Sequence, residues 1–327
     1  MSAQTVEPAA PEHDPWASPP PMPIERRELR KLQKRSDAPA LRFLAGHILV
    51  ALCTGTLVYL SRQNVLLLVP AMFLHGIVLV FLFAPMHECT HGTAFRRRWI
   101  NTVVGSSCGF VLLRSSLYFK YRHADHHTYT QDPSRDPDLV PMPGNARLYI
   151  AEVLGAKLWP KLVGALLRSA TGRYAPLELR FIPESERGRV SREARVLIAL
   201  YAIIAVVAVA TGWWMAVLIY WIIPRVLAEP VLRLVRLAEH TGMEEGPDPM
   251  SNTRTTLTNR LIRFLYWNMP YHAAHHLAPS VPFHALNRLH EQLPQHAVED
   301  GYVRVHRGLV QDLGTGKPMP RIDNDFI

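Results

Sequence analysis

Cysteine is scarce in this sequence, with three in 327 residues. Cys53, Cys89 and Cys108 all lie in apolar surroundings and are too few for a disulfide framework. The chain therefore does not belong to the small disulfide-rich scaffolds, and we expect its thiols to be reduced. The first 38 residues also lack the apolar core of a signal peptide. Since they are rich in proline, alanine and charge, they predict a disordered tail.

Nucleic-acid recognition patterns are absent as well, although the formal net charge is +9. No basic run is interleaved with aromatics away from the apolar blocks, and no finger or helix-turn-helix spacing occurs. Basic residues beside apolar blocks set membrane orientation and meet anionic headgroups. We therefore expect the lipid bilayer, and no nucleic acid, as a partner.

Charge itself is nearly absent from four long blocks: Leu41–Leu60, Val65–Pro85, Val196–Ala210 and Trp213–Ile223. They predict spans at about 41–60, 65–85, 196–211 and 213–235, of which the last continues past Arg225, Glu229 and Arg233. About 20 apolar helical residues suffice to cross a hydrocarbon layer of roughly 30 Å. The amphipathic segments near Trp99–Phe119 and Leu148–Leu167 instead suit the membrane interface. The sequence predicts an all-α integral membrane protein: two transmembrane hairpins, interfacial helices and a cytoplasmic histidine-rich region.

Short turns and flanking charge give the expected topology. Ser61–Asn64 and Thr211–Gly212 join the spans in pairs, and arginines and lysines crowd the opposite side. By the positive-inside tendency, both termini and the middle segment face the cytoplasm. The expected organisation is a tail at 1–38, a membrane domain at 39–295 and a C-terminal tail at 296–327.

The histidines of this sequence are arranged in an unusual pattern. Nine of the 16 histidines fall in four places. These are His87 and His91; His123, His126 and His127; His240; and His272, His275 and His276. Helix positions i, i+3 and i+4 share one face, so each group converges. All four places follow the predicted cytoplasmic ends of spans.

Nine imidazoles exceed the three or four ligands of one zinc ion, so the number favours two metals. Imidazole suits Fe, Zn, Cu and Ni alike, and the residues alone leave the metal open. His87–His91 also matches HExxH, in which Glu88 would be the general base of an intramembrane zinc protease. That motif lies past the span and leaves the other clusters unexplained. A metal transporter is another alternative, but it would place its ligands near the bilayer midplane, whereas these histidines lie at one membrane face.

The order HxxxH, HxxHH, isolated histidine and HxxHH on two hairpins resembles the membrane-bound fatty acid desaturase and hydroxylase superfamily. The likeness runs from about Leu41 to Leu293. It includes Met86–Gly92, His123–Thr128 with Asp136-Pro137-Asp138, and Asn268–His272 through Phe283. The last passage is similar to bacterial desaturase-like oxygenases.

The resemblance implies a di-iron centre with O2 as co-substrate. Carried over, one iron would take His87, His127, His240, His272 and His276, and the other His91, His123, His126 and His275. Acyl-CoA desaturases of the superfamily have an asparagine one turn before the isolated histidine, where this chain has Arg236. That departure affects the open coordination position, for which Asn268 is a possible substitute.

The resemblance also implies the substrate and partners. The first hypothesis is a fatty acyl or lipid desaturase, and the alternative is a hydroxylase or oxidative demethylase of a small or hydrocarbon substrate. The third box begins with His272 where front-end desaturases have glutamine, and no fused cytochrome b5 segment is visible. Electrons would come from a ferredoxin or Rieske-type protein with its reductase. The expected location is a bacterial inner membrane.

The positions of several other residues also predict roles for them. Glu88, Asp125 and Glu239 adjoin ligands and could hold the second nitrogen of an imidazole. Asp136 and Asp138 are expected to cap the structure after the second box. Two groups of histidines have no cluster spacing: the first, His47 and His75, is expected in the core, and the second, His284, His290, His296 and His306, at the surface.

Overall fold

The computed structural model describes residues 14–17, 20–294 and 296–315. In chain order the first helices are α1 (Arg26–Leu32), α2 (Asp37–Ser61), α3 (Val65–Phe81), α4 (Phe83–His91), α5 (Arg98–Val111), α6 (Ser116–Thr128), α7 (Ala146–Val153), α8 (Leu158–Thr171) and α9 (Pro176–Phe181). Then come α10 (Glu184–Ala210), α11 (Trp214–Val217), α12 (Ile223–Leu227), α13 (Glu229–His240), α14 (Pro249–Asn252), α15 (Arg260–Leu265), α16 (His272–Leu277), α17 (Leu286–His290) and α18 (Tyr302–Gln311).

Four helical stretches are long and apolar enough to cross a membrane: 37–61, 65–91, 184–210 and 214–240. They form the expected two hairpins. In the first turn, the Asn64 side chain accepts a hydrogen bond from the Leu66 amide at 3.0 Å and begins α3. In the second, Gly212 has φ +75°, a left-handed conformation that ends α10 without a Cβ clash.

The spans present much apolar surface outward. Leu66 is 79% exposed, and Leu60, Val206 and Val209 are similarly bare. Large exposed apolar faces on parallel helices suit lipid contact and would be unfavourable in water. The protein is a multi-pass membrane protein. Each span continues beyond its charge-free block, so α4 and α13 carry histidines in their last turns.

α5 and α6 meet at an angle of 100°. This bend agrees with the interfacial or re-entrant segment predicted for this region, because a straight crossing would need one continuous helix. Leu113 lies in the bend with φ +60°. The bend directs α6, which carries three histidines, across the end of the bundle towards α4.

Both predicted tails contain ordered structure. At the N-terminus, α1 lies inside the stretch predicted as disordered, and Asp14 pairs with Arg135 at 2.7 Å. At the C-terminus, β2 (Val298–Asp300) pairs in parallel with β1 (Thr255–Leu257), with Thr255 opposite Val298. α18 then packs against α13. Residues 1–13, 18, 19, 295 and 316–327 lie outside the described part.

The main apolar core lies where the spans meet the third histidine segment. Trp267, Tyr266 and Phe83 are fully buried there. Phe43 of α2 contacts the rings of Phe283 and Trp267 at centroid distances of 5.1 and 6.1 Å. This packing fixes α16 against the first hairpin, which positions the last three clustered histidines.

Candidate metal centre

Four helices bring the nine histidines together at one end of the bundle. α4 carries the first pair, α6 the second group, α13 the single His240 and α16 the third group. Gly92 ends α4 directly after His91, in a left-handed conformation with φ +68°. The four groups therefore meet, as expected from their placement at the predicted cytoplasmic ends of the spans.

The ring nitrogens fall into adjoining donor groups whose atoms lie within 4.8 Å of one another. The five-histidine group consists of His87, His91, His123, His127 and His275. The His240 group consists of His126, His240 and His276, together with Glu239 and His272 around the same His240. His87, His127 and His126 lie in different groups from those that the resemblance implied.

The ring nitrogens of neighbouring histidines are too close together for both rings of a pair to be protonated. His123 Nε2 is 2.9 Å from His127 Nε2, and His240 Nε2 is 3.0 Å from His272 Nε2. Burial, together with neighbouring imidazoles, holds the pKa of His272, His275 and His276 well below its usual range. These rings are therefore neutral near pH 7 and present lone pairs.

Several of the cluster nitrogens are buried without a hydrogen-bond partner among the described residues. They include both nitrogens of His87 and the Nε2 atoms of His91 and His276. A buried polar atom without a partner is costly, whereas a metal ion would satisfy converging lone pairs. The donor set thus fits a metal centre of imidazole ligands.

Buried polar groups hold the outer nitrogens of some ligands. The Nδ1 of His126 lies 2.8 Å from an oxygen of Asp136, and the Nδ1 of His276 lies 3.2 Å from the hydroxyl of Thr130. The Nδ1 of His240 lies 3.3 Å from the carbonyl of Asn252. Such contacts fix the orientation of each ring.

Glu88 is fully buried between the first and third boxes. Its carboxylate accepts hydrogen bonds from the Phe283 amide and the Thr93 hydroxyl, both at 3.1 Å. One oxygen lies 3.6 Å from Nδ1 of His275 and 3.9 Å from Nδ1 of His87. This oxygen therefore lies beside the outer nitrogens of two ligands without a hydrogen bond to either, and the role of Glu88 as a partner of an imidazole stays a prediction.

The sequence model of the fatty acid desaturase family matches residues 63–308, which includes all nine histidines. The chain belongs to the fatty acid desaturase family. Its histidine clusters, four candidate spans and mostly helical fold are those of a membrane desaturase-family protein.

Curated relatives are similar at low identity. An sn-1 oleoyl-lipid 12-desaturase of Picosynechococcus sp. is 24% identical over 71% of this chain and 70% of its own length. A fatty acid conjugase of Calendula officinalis is 28% identical over 63% of this chain and 62% of its own length. A sphingolipid delta(4)-desaturase of Drosophila melanogaster is 25% identical over 74% of this chain and 71% of its own length. The chain therefore spans about two thirds of these relatives.

Two other acidic residues of this desaturase-family protein have contacts beyond those expected. Asp136 caps the turn as predicted, since it accepts from the amides of Gln131 at 3.0 Å and Asp138 at 2.8 Å. It is also the partner of His126, which was not predicted. The Asp136-Pro137-Asp138 sequence could have indicated this contact, because the turn it makes can bring a carboxylate back to a ligand ten residues earlier. Asp125 points to Arg180, with an N–O distance of 2.6 Å, and not to a ligand.

Asn268 and Arg236 also have defined surroundings. The amide of Asn268 donates to the Phe283 carbonyl at 3.2 Å, and its backbone is left-handed with φ +54°. Arg236 lies 3.7 Å from both Asp138 and Glu239. Glu239 in turn accepts from the Tyr266 hydroxyl at 3.0 Å and lies 3.5 Å from Nε2 of His272.

The isolated histidines are mostly hydrogen-bonded. His47 bonds the Val78 carbonyl at 2.8 Å, and His75 lies 2.8 Å from the Thr54 hydroxyl, which confirms their prediction as core residues. His296 was predicted at the surface, yet it is buried and 3.2 Å from His290. That prediction is wrong because the segment after residue 295 packs on the body.

Proposed function

We propose that the protein is an O2-dependent di-iron oxidoreductase, with fatty acyl or lipid desaturation as its first candidate reaction. In that reaction two hydrogens leave adjacent carbons and a double bond forms. O2 takes these two hydrogens, two electrons and two protons and becomes two waters. The observation that carries the proposal is the two adjoining groups of imidazole nitrogens, most of them on buried rings.

Within this proposal the nine histidines hold two iron ions. The five-histidine group would hold one, and the His240 group, with His272, the other. Bound iron would supply the oxidant for an unactivated C–H bond. The chain's own carboxylates fix the rings: Asp136 holds His126, and Glu88 lies beside His275 and His87. Tightly held rings keep the donor atoms in place when charge changes.

The zinc protease hypothesis has less support. A general base needs access to water, but Glu88 is completely buried and already accepts from Phe283 and Thr93. His87 and His91 also belong to a group of five donors, which exceeds a zinc site.

We propose a separate electron donor, a ferredoxin or Rieske-type protein with its reductase. Exposed arginines on α1 and before α5, including Arg26, Arg27 and Arg96, offer a basic surface for an acidic carrier. In the proposed topology this surface, the metal centre and both termini face the cytoplasm of a bacterial inner membrane. Residues 39–295 form the catalytic membrane domain.

The second candidate is a hydroxylase or oxidative demethylase acting on a smaller molecule. It would insert one oxygen atom into a C–H bond and release the other as water, with the same two electrons and two protons. The cavity that reaches His240 is lined by many charged side chains, which favours a polar substrate over a purely apolar chain.

Product analysis tests the proposal. Cells expressing the protein with a ferredoxin and its reductase should accumulate an oxidised lipid or metabolite only with O2, and His126→Ala should remove it. A double bond would support desaturation and an added oxygen would support hydroxylation. The same product from the His126→Ala variant would contradict the proposal.

A further inference from the structure

A cavity of about 300 Å³ reaches His240 of the proposed metal centre. It lies between the loop that follows α6 and the helices α7, α8 and α13. Ligand pockets are mostly apolar with a few polar groups. This one is different, because six cationic side chains line it against three carboxylates. The cationic ones are Arg114, Arg122, Lys157, Lys161, Arg233 and Arg236, and the carboxylates are Asp138, Glu152 and Glu229.

The carboxylates are already engaged. Asp138 lies 2.5 Å from Arg122, and Glu152 lies 2.8 Å from Arg233. Glu229 forms a buried ion pair with Arg225, which lies on the same helical face one turn earlier. Each wall carboxylate therefore neutralises one guanidinium, and excess positive charge remains.

Arg114 is the clearest example of this excess positive charge. Its guanidinium makes no hydrogen bond or ion pair with any described residue, and its Nε is buried without a partner. It lies 5.7 Å from the ring centroid of Phe83. A cation–π contact offsets only part of the cost of removing a guanidinium from water. Glu229 is the carboxylate whose charge reaches Arg114, but it is paired with Arg225 and makes no direct contact with Arg114. The guanidinium of Arg114 can therefore accept an anion as a direct partner.

The residues around Arg114 lie close to the metal centre. The guanidinium of Arg236 lies 4.8 Å from the same Phe83 ring, and Phe83 lies 6.0 Å from the ring of His87. Arg236 precedes His240 by one helical turn, and side chains so spaced are about 6 Å apart. An anion held between Arg114 and Arg236 would lie beside the two donor groups.

We propose that this cavity binds an anionic group of the substrate, a carboxylate or a phosphate, next to the metal centre. The inference rests on the proposed function, because it names the substrate class for that site. Arg236 already lies 3.7 Å from Asp138 and from Glu239, so Arg114 supplies the main contact and Arg236 adds positive charge to the same cavity. The oxidised carbon then lies a few bonds from the substrate's charge.

Binding of matched probes tests the proposal without turnover. Purified, metal-loaded protein in neutral detergent is dialysed without O2 or reductant against labelled octanoate, octyl phosphate or methyl octanoate. We expect at least one of the two anions to bind about tenfold or more tightly than the neutral ester, as a charge-assisted contact implies. Equal binding of the ester and both anions would overturn the proposal, whatever the variants do.

Variants then assign the contact. Arg114→Gln should remove most of the preference for the anion, and Arg114→Lys should retain part of it. Arg189→Gln is the matched control, since Arg189 is exposed on α10 and pairs with Glu186 at 2.8 Å. An unchanged preference in Arg114→Gln would contradict the assignment.

The source of the anion is tested by competition. Phosphatidylglycerol nanodiscs that displace the bound probe, when phosphatidylcholine nanodiscs do not, identify a lipid headgroup; no displacement identifies a free acid. Metal content separates this inference from the proposed function. Two irons with no anion preference would refute the cavity proposal alone, whereas one zinc and no iron would refute the di-iron centre.

Discussion

The two donor groups have different surroundings. In the five-histidine group, Glu88 is the carboxylate beside the rings, and it lies 3.6 Å from His275. The His240 group is tied to Asp136, Thr130 and Asn252 and, through His240, lines the charged cavity. The two groups therefore differ in what adjoins them: a buried carboxylate lies beside the first, and the cavity in which we propose that the substrate binds lies beside the second.

Removing one ligand from each group should have the largest effect. His275→Ala and His126→Ala should each lower the iron content from about two to about one or less per chain, because each leaves a metal short of a donor. Turnover should be lost in both. Metal analysis by plasma mass spectrometry checks the content, and His284→Ala, outside both groups, is the control. Full iron in His275→Ala would contradict the assignment.

Asp136→Asn should have the next largest effect. The carboxylate holds Nδ1 of His126 at 2.8 Å, and loss of such a partner weakens metal binding by about 10–100-fold. Chelator titration of the iron-loaded protein measures it. Asp125→Asn is the matched control, since Asp125 pairs with Arg180 and should leave iron affinity unchanged. Equal loss in both variants would show that the effect is general destabilisation.

Glu88→Gln should weaken metal binding less than Asp136→Asn, because Glu88 is 3.6 Å or more from the ring nitrogens. The amide oxygen can still accept from the Phe283 amide, so the local packing is retained. The same chelator titration provides the comparison. If Glu88→Gln instead has the larger effect, the five-histidine group depends on its carboxylate more than the His240 group does.

Thr130→Val should weaken metal binding less than either of these two substitutions. It removes one neutral contact to Nδ1 of His276, at 3.2 Å, and such a bond contributes about 0.5–1.5 kcal/mol. We expect a loss of iron affinity of about tenfold or less. A loss beyond that of Asp136→Asn would reverse the order of the two outer partners.

Charge reversal on the basic surface should have the smallest effect. Arg26→Glu with Arg27→Glu should slow reduction by an acidic ferredoxin at low salt, and the difference should fade at high salt, because exposed charges are screened. Stopped-flow reduction at two ionic strengths measures it. A difference that persists at high salt would exclude a steering role.

The sequence predicted the parts that depend on local spacing. The two hairpins followed from nearly charge-free blocks, and the shared face within each histidine group followed from i, i+3 and i+4 positions. The meeting of the four groups followed from their placement at the predicted cytoplasmic ends of the spans. What it did not predict depends on contacts between distant segments: the pairing of Asp136 with His126, the parallel β1–β2 pair and the grouping of donors. Each of these is set by how α6, α13 and α16 meet, and spacing within one helix carries no information on that.

Metal content with X-ray absorption at the iron edge tests the central claim most directly. Protein purified from iron-replete cells should hold about two irons per chain, with first-neighbour scattering dominated by imidazole nitrogen at roughly 2.1 Å. A single zinc with no iron, or scattering dominated by sulfur, would contradict the di-iron centre.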